Sequence, residues 1–245
     1  METGFLSEIF SSFQGEGLFA GRRHVFMRMA GCNLRCSYCD TPESLVRTPD
    51  CAVQNRDGSQ RRVKNPLDAG EVSALLAPLL GSPGVHALAI TGGEPLLQSS
   101  FLAELLAAAR PEAAVLLETN GSYPARLAEV LAFIDIVSMD VKLPSNSGEA
   151  PLWDEHREFV RLSLGKTLYV KVPVDETTLD DEVRAAASLV ADADPTIAFF
   201  LQPILSPGAE VRISAPRLER FYDIAAERLA DVRVLPQTHR FLGIR

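Results

Sequence analysis

The sequence predicts an α/β fold, an open and partial (β/α)6-type barrel with a C-terminal extension. Short β-rich runs alternate with helix-like stretches along nearly the whole chain, the pattern of repeated βα units around a parallel sheet. These units number about six, fewer than the eight that close a barrel. At 245 residues, 47% of them apolar and 23% charged, the chain has the size and composition of one undivided domain of this class. In open α/β sheets ligands gather at the carboxyl ends of the strands, so chemistry-bearing residues are expected there.

The first strand is predicted at residues 24–30. Others follow at 86–90, 114–119, 134–141, 168–174 and 197–202, with a short last one at 232–235. Asn65 and Pro66 suit the N-cap and first turn of a helix running to about residue 80. A second helix is capped by Ser99 or Ser100 and ends at 109, before Pro111. Helices at 124–133, 152–164, 179–191 and 215–230 complete the set. Residues 42–65 fit no period and are rich in Pro, Asp, Arg and Ser. They read as an irregular insertion, a long loop with room for a short helix, within a single domain spanning 1–245.

A net charge of -8 argues against an extended nucleic-acid backbone as partner. The local basic group Arg61, Arg62 and Lys64 reads as a solvated loop. No apolar run approaches the roughly 18 residues needed to cross a bilayer. Glu2 and Glu8, with no basic segment leading into an apolar one, predict no secretory leader and hence a cytoplasmic protein.

Three of the four cysteines fall within eight residues, in Gly31-Cys32-Asn33-Leu34-Arg35-Cys36-Ser37-Tyr38-Cys39-Asp40-Thr41. Disulfides between such close neighbours would be strained, so a metal site in a reducing compartment is the better reading. Cys51 is left over and is expected to be a free thiol in the loop. Thiolates suit an iron–sulfur cluster or zinc, but zinc in a structural site takes four protein ligands. Three thiolates around four irons leave one iron open to a reactant. Thr91-Gly92-Gly93-Glu94-Pro95 follows the second strand, and its glycines would let a ligand approach the backbone. Ser138-Met139-Asp140-Val141-Lys142 ends the fourth strand and Gln202 the sixth.

The C-x3-C-x2-C spacing of Cys32, Cys36 and Cys39 resembles that of the radical S-adenosylmethionine superfamily, and Gly92-Gly93-Glu94-Pro95 resembles its GGEP motif. That resemblance implies a four-iron, four-sulfur cluster on the three cysteines, with S-adenosylmethionine on its open iron. It assigns cofactor contacts to Tyr38, Asp40, Gly92, Gly93 and Glu94; Ser138, Lys142 and Gln202, from their places at the strand ends, could reach the cofactor's ribose hydroxyls or carboxylate.

Within that superfamily the chain is similar to the 7-carboxy-7-deazaguanine synthase family of the queuosine and deazapurine pathway. Further motifs carry this likeness: Phe13-Gln14-Gly15-Glu16-Gly17, Phe26-Met27-Arg28-Met29-Ala30, Leu117-Glu118-Thr119-Asn120-Gly121 and Val232-Arg233-Val234-Leu235-Pro236-Gln237-Thr238-His239. A glycyl-radical activase shares the cysteine spacing but leaves the first and last of these unexplained. The family likeness implies ring contraction of 6-carboxy-5,6,7,8-tetrahydropterin with loss of ammonia. It also implies magnesium at Thr41, a flavodoxin or ferredoxin as reductant, and a homodimer. Substrate contacts would come from Phe13, Gln14, Glu16, Arg28 and Thr91, with His239 and the terminal Arg245 closing the pocket. The chemistry of these side chains agrees. Arg28 offers a planar fork to a carboxylate, and Gln14 and Glu16 can accept from the donor-rich edge of an aminopyrimidinone.

Overall fold

The computed structural model describes residues 2–109 and 111–244. Seven strands run parallel and in chain order: β3 (Arg23–Met29), β7 (Ala87–Gly92), β8 (Ala114–Thr119), β9 (Ile136–Asp140), β10 (Thr167–Val174), β11 (Ala198–Pro203) and β12 (Val232–Val234). Beyond β3 the sheet continues through β2 (Leu6–Phe13), β4 (Asp50–Gln54) and β5 (Gln60–Lys64). The edges β12 and β5 do not pair, so the barrel is open. A two-stranded ladder of β1 (Thr3–Gly4) and β6 (Leu67–Asp68) lies apart.

The crossovers are helical. They are α1 (Ala69–Leu80), α2 (Ser99–Ala109), α3 (Pro124–Val130), α4 (Pro144–Ser147), α5 (Trp153–Ser163), α6 (Asp180–Ala191) and α7 (Ala215–Ala226), followed by a short terminal α8 (Thr238–Leu242). Each strand carries two sets of side chains with a period of two. One set, such as Val25 and Met27, Leu88 and Ile90, or Val170 and Val172, packs with the helices in the main core. The opposite set divides by height. Phe10, Phe26, Ala89, Leu116, Tyr169 and Phe200 form a smaller apolar cluster inside the sheet. Nearer the carboxyl ends, Arg28, Thr91, Glu118, Asp140, Lys171 and Gln202 line a cavity instead. The apolar plug closes the barrel below and the polar layer faces the ligand space above it.

Several expectations are corrected. Residues 42–65 are not an irregular loop: Pro42–Leu45 is a 3-10 turn, and β4 and β5 form a hairpin on the sheet. Cys51 is fully buried in β4 among core side chains, and burial pushes its thiol up to about 12. Asn65 does not cap a helix. Its amide donates to the carbonyls of Leu6 and Thr48, and its oxygen accepts from Leu6 N–H. The helix starts later, capped by Asp68 in a reciprocal pair with Glu71, a device that stabilises a helix end by about 1 kcal/mol. β2, which the pattern did not reveal, runs antiparallel to β3 and places Gln14 to Glu16 beside the cavity.

Candidate active site

The cysteines stand on the loop that leaves β3. Gly31 has φ 100°, a conformation open to glycine, and its N–H donates to Ser44 at 2.8 Å. Cys32 N–H donates to Leu45, so the 3-10 turn folds back over the loop. On its far side, Ser37 donates to the carbonyls of Ser147 and Asn146 on α4. Cys32, Cys36 and Cys39 are free, half-buried, and share a cavity of about 710 Å³. Burial raises the Cys32 thiol and pushes Cys36 up to about 11, so a bound metal must displace protons to use them. Among the described residues, no three His, Cys, Asp or Glu side chains close around one metal ion. Three separated thiols on one loop fit the corners of a cluster better than a tetrahedral zinc.

The end of β7 is fastened to this loop. Gly93 N–H donates to Met29 at 3.2 Å and Glu94 N–H to Gly31 at 2.9 Å. A Cβ at Gly92 would meet Met29 O at 2.3 Å, and one at Gly93 would meet Gly31 O at 2.2 Å and Ser44 O at 2.7 Å. These glycines are therefore demanded by backbone packed on backbone, in addition to whatever approaches from the cavity. Glu94 is completely buried and accepts from Leu96 N–H, Asn120 N–H and the Thr119 hydroxyl at 2.8–3.0 Å. Asn120 in turn donates to Asn33 at 3.0 Å. One carboxylate thus holds three strand-end turns in register. Burial outweighs these bonds and pushes its carboxyl up to about 7.

The opposite wall is charged. Arg28 Nε lies 2.8 Å from Glu8. Gln14 accepts from the N–H groups of Gly15 and Glu16 and donates to Glu118 at 2.7 Å. Glu16 pairs with Lys171, which also lies 3.5 Å from Asp140, and Asp140 is 3.3 Å from Lys142. Burial would raise the Glu16 carboxyl, but the Lys171 charge and bonds from Lys171 and Gln237 bring it down to about 2. The C-terminal segment closes the side: Gln237 donates to Glu16 at 2.8 Å and to Asp40 at 2.7 Å, and Thr238 N–H donates to Gly15.

A profile of the Radical SAM superfamily matches residues 27–165. The 7-carboxy-7-deazaguanine synthase of Geobacter sulfurreducens is 41% identical over 242 residues, covering 97% of this chain and 96% of that one. The enzyme of the same name from Methanothermobacter thermautotrophicus is 36% identical over 257 residues, with 97% and 96% covered. The chain belongs to the 7-carboxy-7-deazaguanine synthase family.

Solved structures support the fold. The crystal structure of QueE from Escherichia coli aligns with TM-score 0.59 over 97% of this chain and 95% of that one, at 20% identity. A radical SAM methyltransferase from Sphaerobacter thermophilus gives 0.59 over 94% and 77%, at 16% identity. The open partial barrel expected from the βα count is thus the architecture found. Membership of the synthase family within this superfamily implies a four-iron, four-sulfur cluster and S-adenosylmethionine.

Most residues expected to serve a synthase do line the one cavity. These are Phe13, Gln14, Glu16, Arg28, Cys32, Cys36, Tyr38, Cys39, Asp40, Thr41, Thr91, Gly92, Gly93, Lys142, Gln202 and His239. Two side chains do not. Glu94 is used up in the bonds described above, and Ser138 is fully buried on β9, paired in register with Tyr169, one step below Asp140. Arg245 lies outside the described residues. Charged and polar lining residues missed as site candidates include Glu8, Glu118, Asp140, Lys171 and Gln237. Lys171 was detectable as a lone charge in the apolar run 168–174, where a parallel strand buried on both faces should carry none.

Proposed function

We propose that this chain is a 7-carboxy-7-deazaguanine synthase that converts 6-carboxy-5,6,7,8-tetrahydropterin to 7-carboxy-7-deazaguanine with release of ammonia, in queuosine or related deazapurine biosynthesis. One observation carries the reading: the three thiols and a wall of Arg28, Glu16 and Glu118 face the same cavity. When bound, the cluster and S-adenosylmethionine supply a 5′-deoxyadenosyl radical. Cys32, Cys36 and Cys39 would hold the cluster, with the backbone of Gly92 and Gly93 and the side chains of Tyr38, Lys142 and Gln202 around the cofactor.

The remaining residues bind and orient. Arg28, steadied through Nε by Glu8, offers its fork to the substrate carboxylate. Gln14 spends its amide on Gly15, Glu16 and Glu118, so the acceptors for the donor-rich pterin edge are the two carboxylates it organises. Thr41 lines the cavity beside Asp40, and a hydroxyl is a hard oxygen ligand suited to magnesium next to that substrate carboxylate. A cytoplasmic homodimer reduced by a flavodoxin or ferredoxin completes the proposal. Among the described residues, no helix is long and apolar enough to cross a membrane.

The test is anaerobic incubation of the reconstituted, reduced enzyme with S-adenosylmethionine, magnesium and the carboxypterin. The expected result is 7-carboxy-7-deazaguanine with ammonia. Cofactor cleavage without any deazaguanine would overturn the substrate assignment.

A further inference from the structure

Charged side chains on a cavity wall ordinarily keep some contact with water; Lys171 keeps almost none, being 2% exposed. On β10 its neighbours Val170 and Val172 point to the main core, while its ammonium pairs with Glu16 and lies 3.5 Å from Asp140 Oδ2. That oxygen is also 3.3 Å from Lys142 Nζ, which sits 5.7 Å from the Tyr38 ring on the cysteine loop. The second oxygen of Glu16 accepts from Gln237, whose amide also reaches Asp40 next to Cys39. The loop after β2, the ends of β9 and β10, the cysteine loop and the C-terminal segment are joined in one circuit. Lys171 is the point where the substrate wall meets the cofactor wall.

A buried ion pair is a poor stability device, since an apolar pair of like volume commonly does as well. The charge at 171 therefore calls for another account. We propose that Lys171 is a positioning residue that keeps the Glu16 carboxylate ionised and aimed at the donor-rich edge of the substrate, at a height fixed by its contact with Asp140. This rests on the carboxypterin assignment above.

Without Lys171, Glu16 would be a buried carboxylate with, among the described residues, Gln237 and His239 left to favour its charge. The other titratable groups around the ammonium are Asp140 on β9, Glu118 on β8, Tyr169 on β10 and Lys142 just after β9; Lys142 is the one cation among them, and it is held on Asp140 Oδ2 at 3.3 Å rather than on Glu16. Burial would then win and the Glu16 carboxyl would rise into or above the ordinary range. Protonated, it loses one acceptor and the substrate edge loses its partner.

The experiment is equilibrium binding of the carboxypterin to the oxidised, S-adenosylmethionine-loaded holoenzyme, where no turnover occurs, between about pH 5 and 8. Lys171→Met should raise Kd by ~10–100-fold, with the loss relative to wild type growing as pH falls. Glu16→Gln and the double variant Lys171→Met/Glu16→Gln should bind alike and show no such acid-side loss. The double variant strands no carboxylate, so it decides the matter even if Lys171→Met alone does not fold. A wild-type pH profile in Lys171→Met overturns the proposal. So does a double variant at least ~10-fold weaker than Glu16→Gln, since Lys171 would then act independently of Glu16. If the wild-type holoenzyme binds no carboxypterin at all, the functional assignment fails instead.

Discussion

A methyl group at position 93 would have to occupy the space of the Gly31 carbonyl oxygen. Neither partner can yield cheaply. Gly31 holds Ser44 and Glu94 through its own backbone, and moving it moves Cys32 one residue later. Gly93→Ala is therefore expected to act on the cysteine loop before it acts on any ligand. Overpacking of this kind costs about 1–3 kcal/mol, enough to displace one loop while leaving the barrel folded. Iron content and cluster absorbance after anaerobic reconstitution should fall well below wild type, with the far-ultraviolet circular dichroism unchanged. A full iron load would show that the loop tolerates the shift. The motif's glycines were plain in the sequence, but the reason for them was not. Ligand approach was the expectation, whereas the structure adds a contact between two strand ends that no local pattern announces. Lys171 is the converse case: its identity and context were visible, while its partner Glu16 is 155 residues away.

At the scale of elements, the parallel strands and their helices were legible because each is a long apolar or amphipathic run with its own stop signals. The hairpin β4–β5 was not. Cys51, Val53 and Val63 alternate as a strand should, and Asp57-Gly58 marks a turn, but the surrounding Pro, Arg and Ser disguised a period of two. α5 shows how an element can matter beyond its apolar face. It carries His156, fully buried, whose Nε2–H donates to the Asn120 carbonyl at 2.9 Å while Nδ1 has no partner. Protonation would add a second buried N–H with nowhere to donate, and burial pushes the imidazole down to about 4. Its folded value lies below the unfolded one, so the unfolded state binds the proton first as pH falls. The contribution is whole above about pH 6.5 and is lost towards pH 4, amounting to about 3 kcal/mol. His24, held down to about 4 by burial and by His86 and Arg22, adds a loss in the same window. Urea unfolding of the reduced protein without cluster should show stability falling over this range. His156→Gln, whose amide can still donate to Asn120, should remove roughly half of the histidine-linked part. An unaltered pH dependence in that variant would mean that His156 is already protonated in the fold.

At the scale of the molecule, an open barrel leaves a gap that something else must close. Here the loop after β2 and the segment after β12 meet beside the cavity, joined by Thr238 N–H to Gly15 and by Gln237 to Glu16 and Asp40. Gly15 has no room for a Cβ because His239 Nδ1 would lie 2.0 Å from it. Yet α8 buries no residue, and its Phe241 and Leu242 face solvent. The segment therefore adds little to the core while completing one wall of the site. Ending the chain after Pro236 separates these two roles. Folding should lose about 1 kcal/mol, a fall in Tm of only about 2–4 °C for a chain of this size. Carboxypterin binding should weaken by ~10-fold or more, because Glu16 loses Gln237 and the 14–16 loop loses its clamp. Cleavage of S-adenosylmethionine without substrate should continue, since the cysteine loop loses only the Gln237–Asp40 bond and keeps those to α4, to the 42–45 turn and to the end of β7. Calorimetry, pterin binding and cofactor cleavage on the one truncated protein decide it. A Tm drop several times larger would make the segment a structural strap of the barrel and remove the distinction between its wall and its fold.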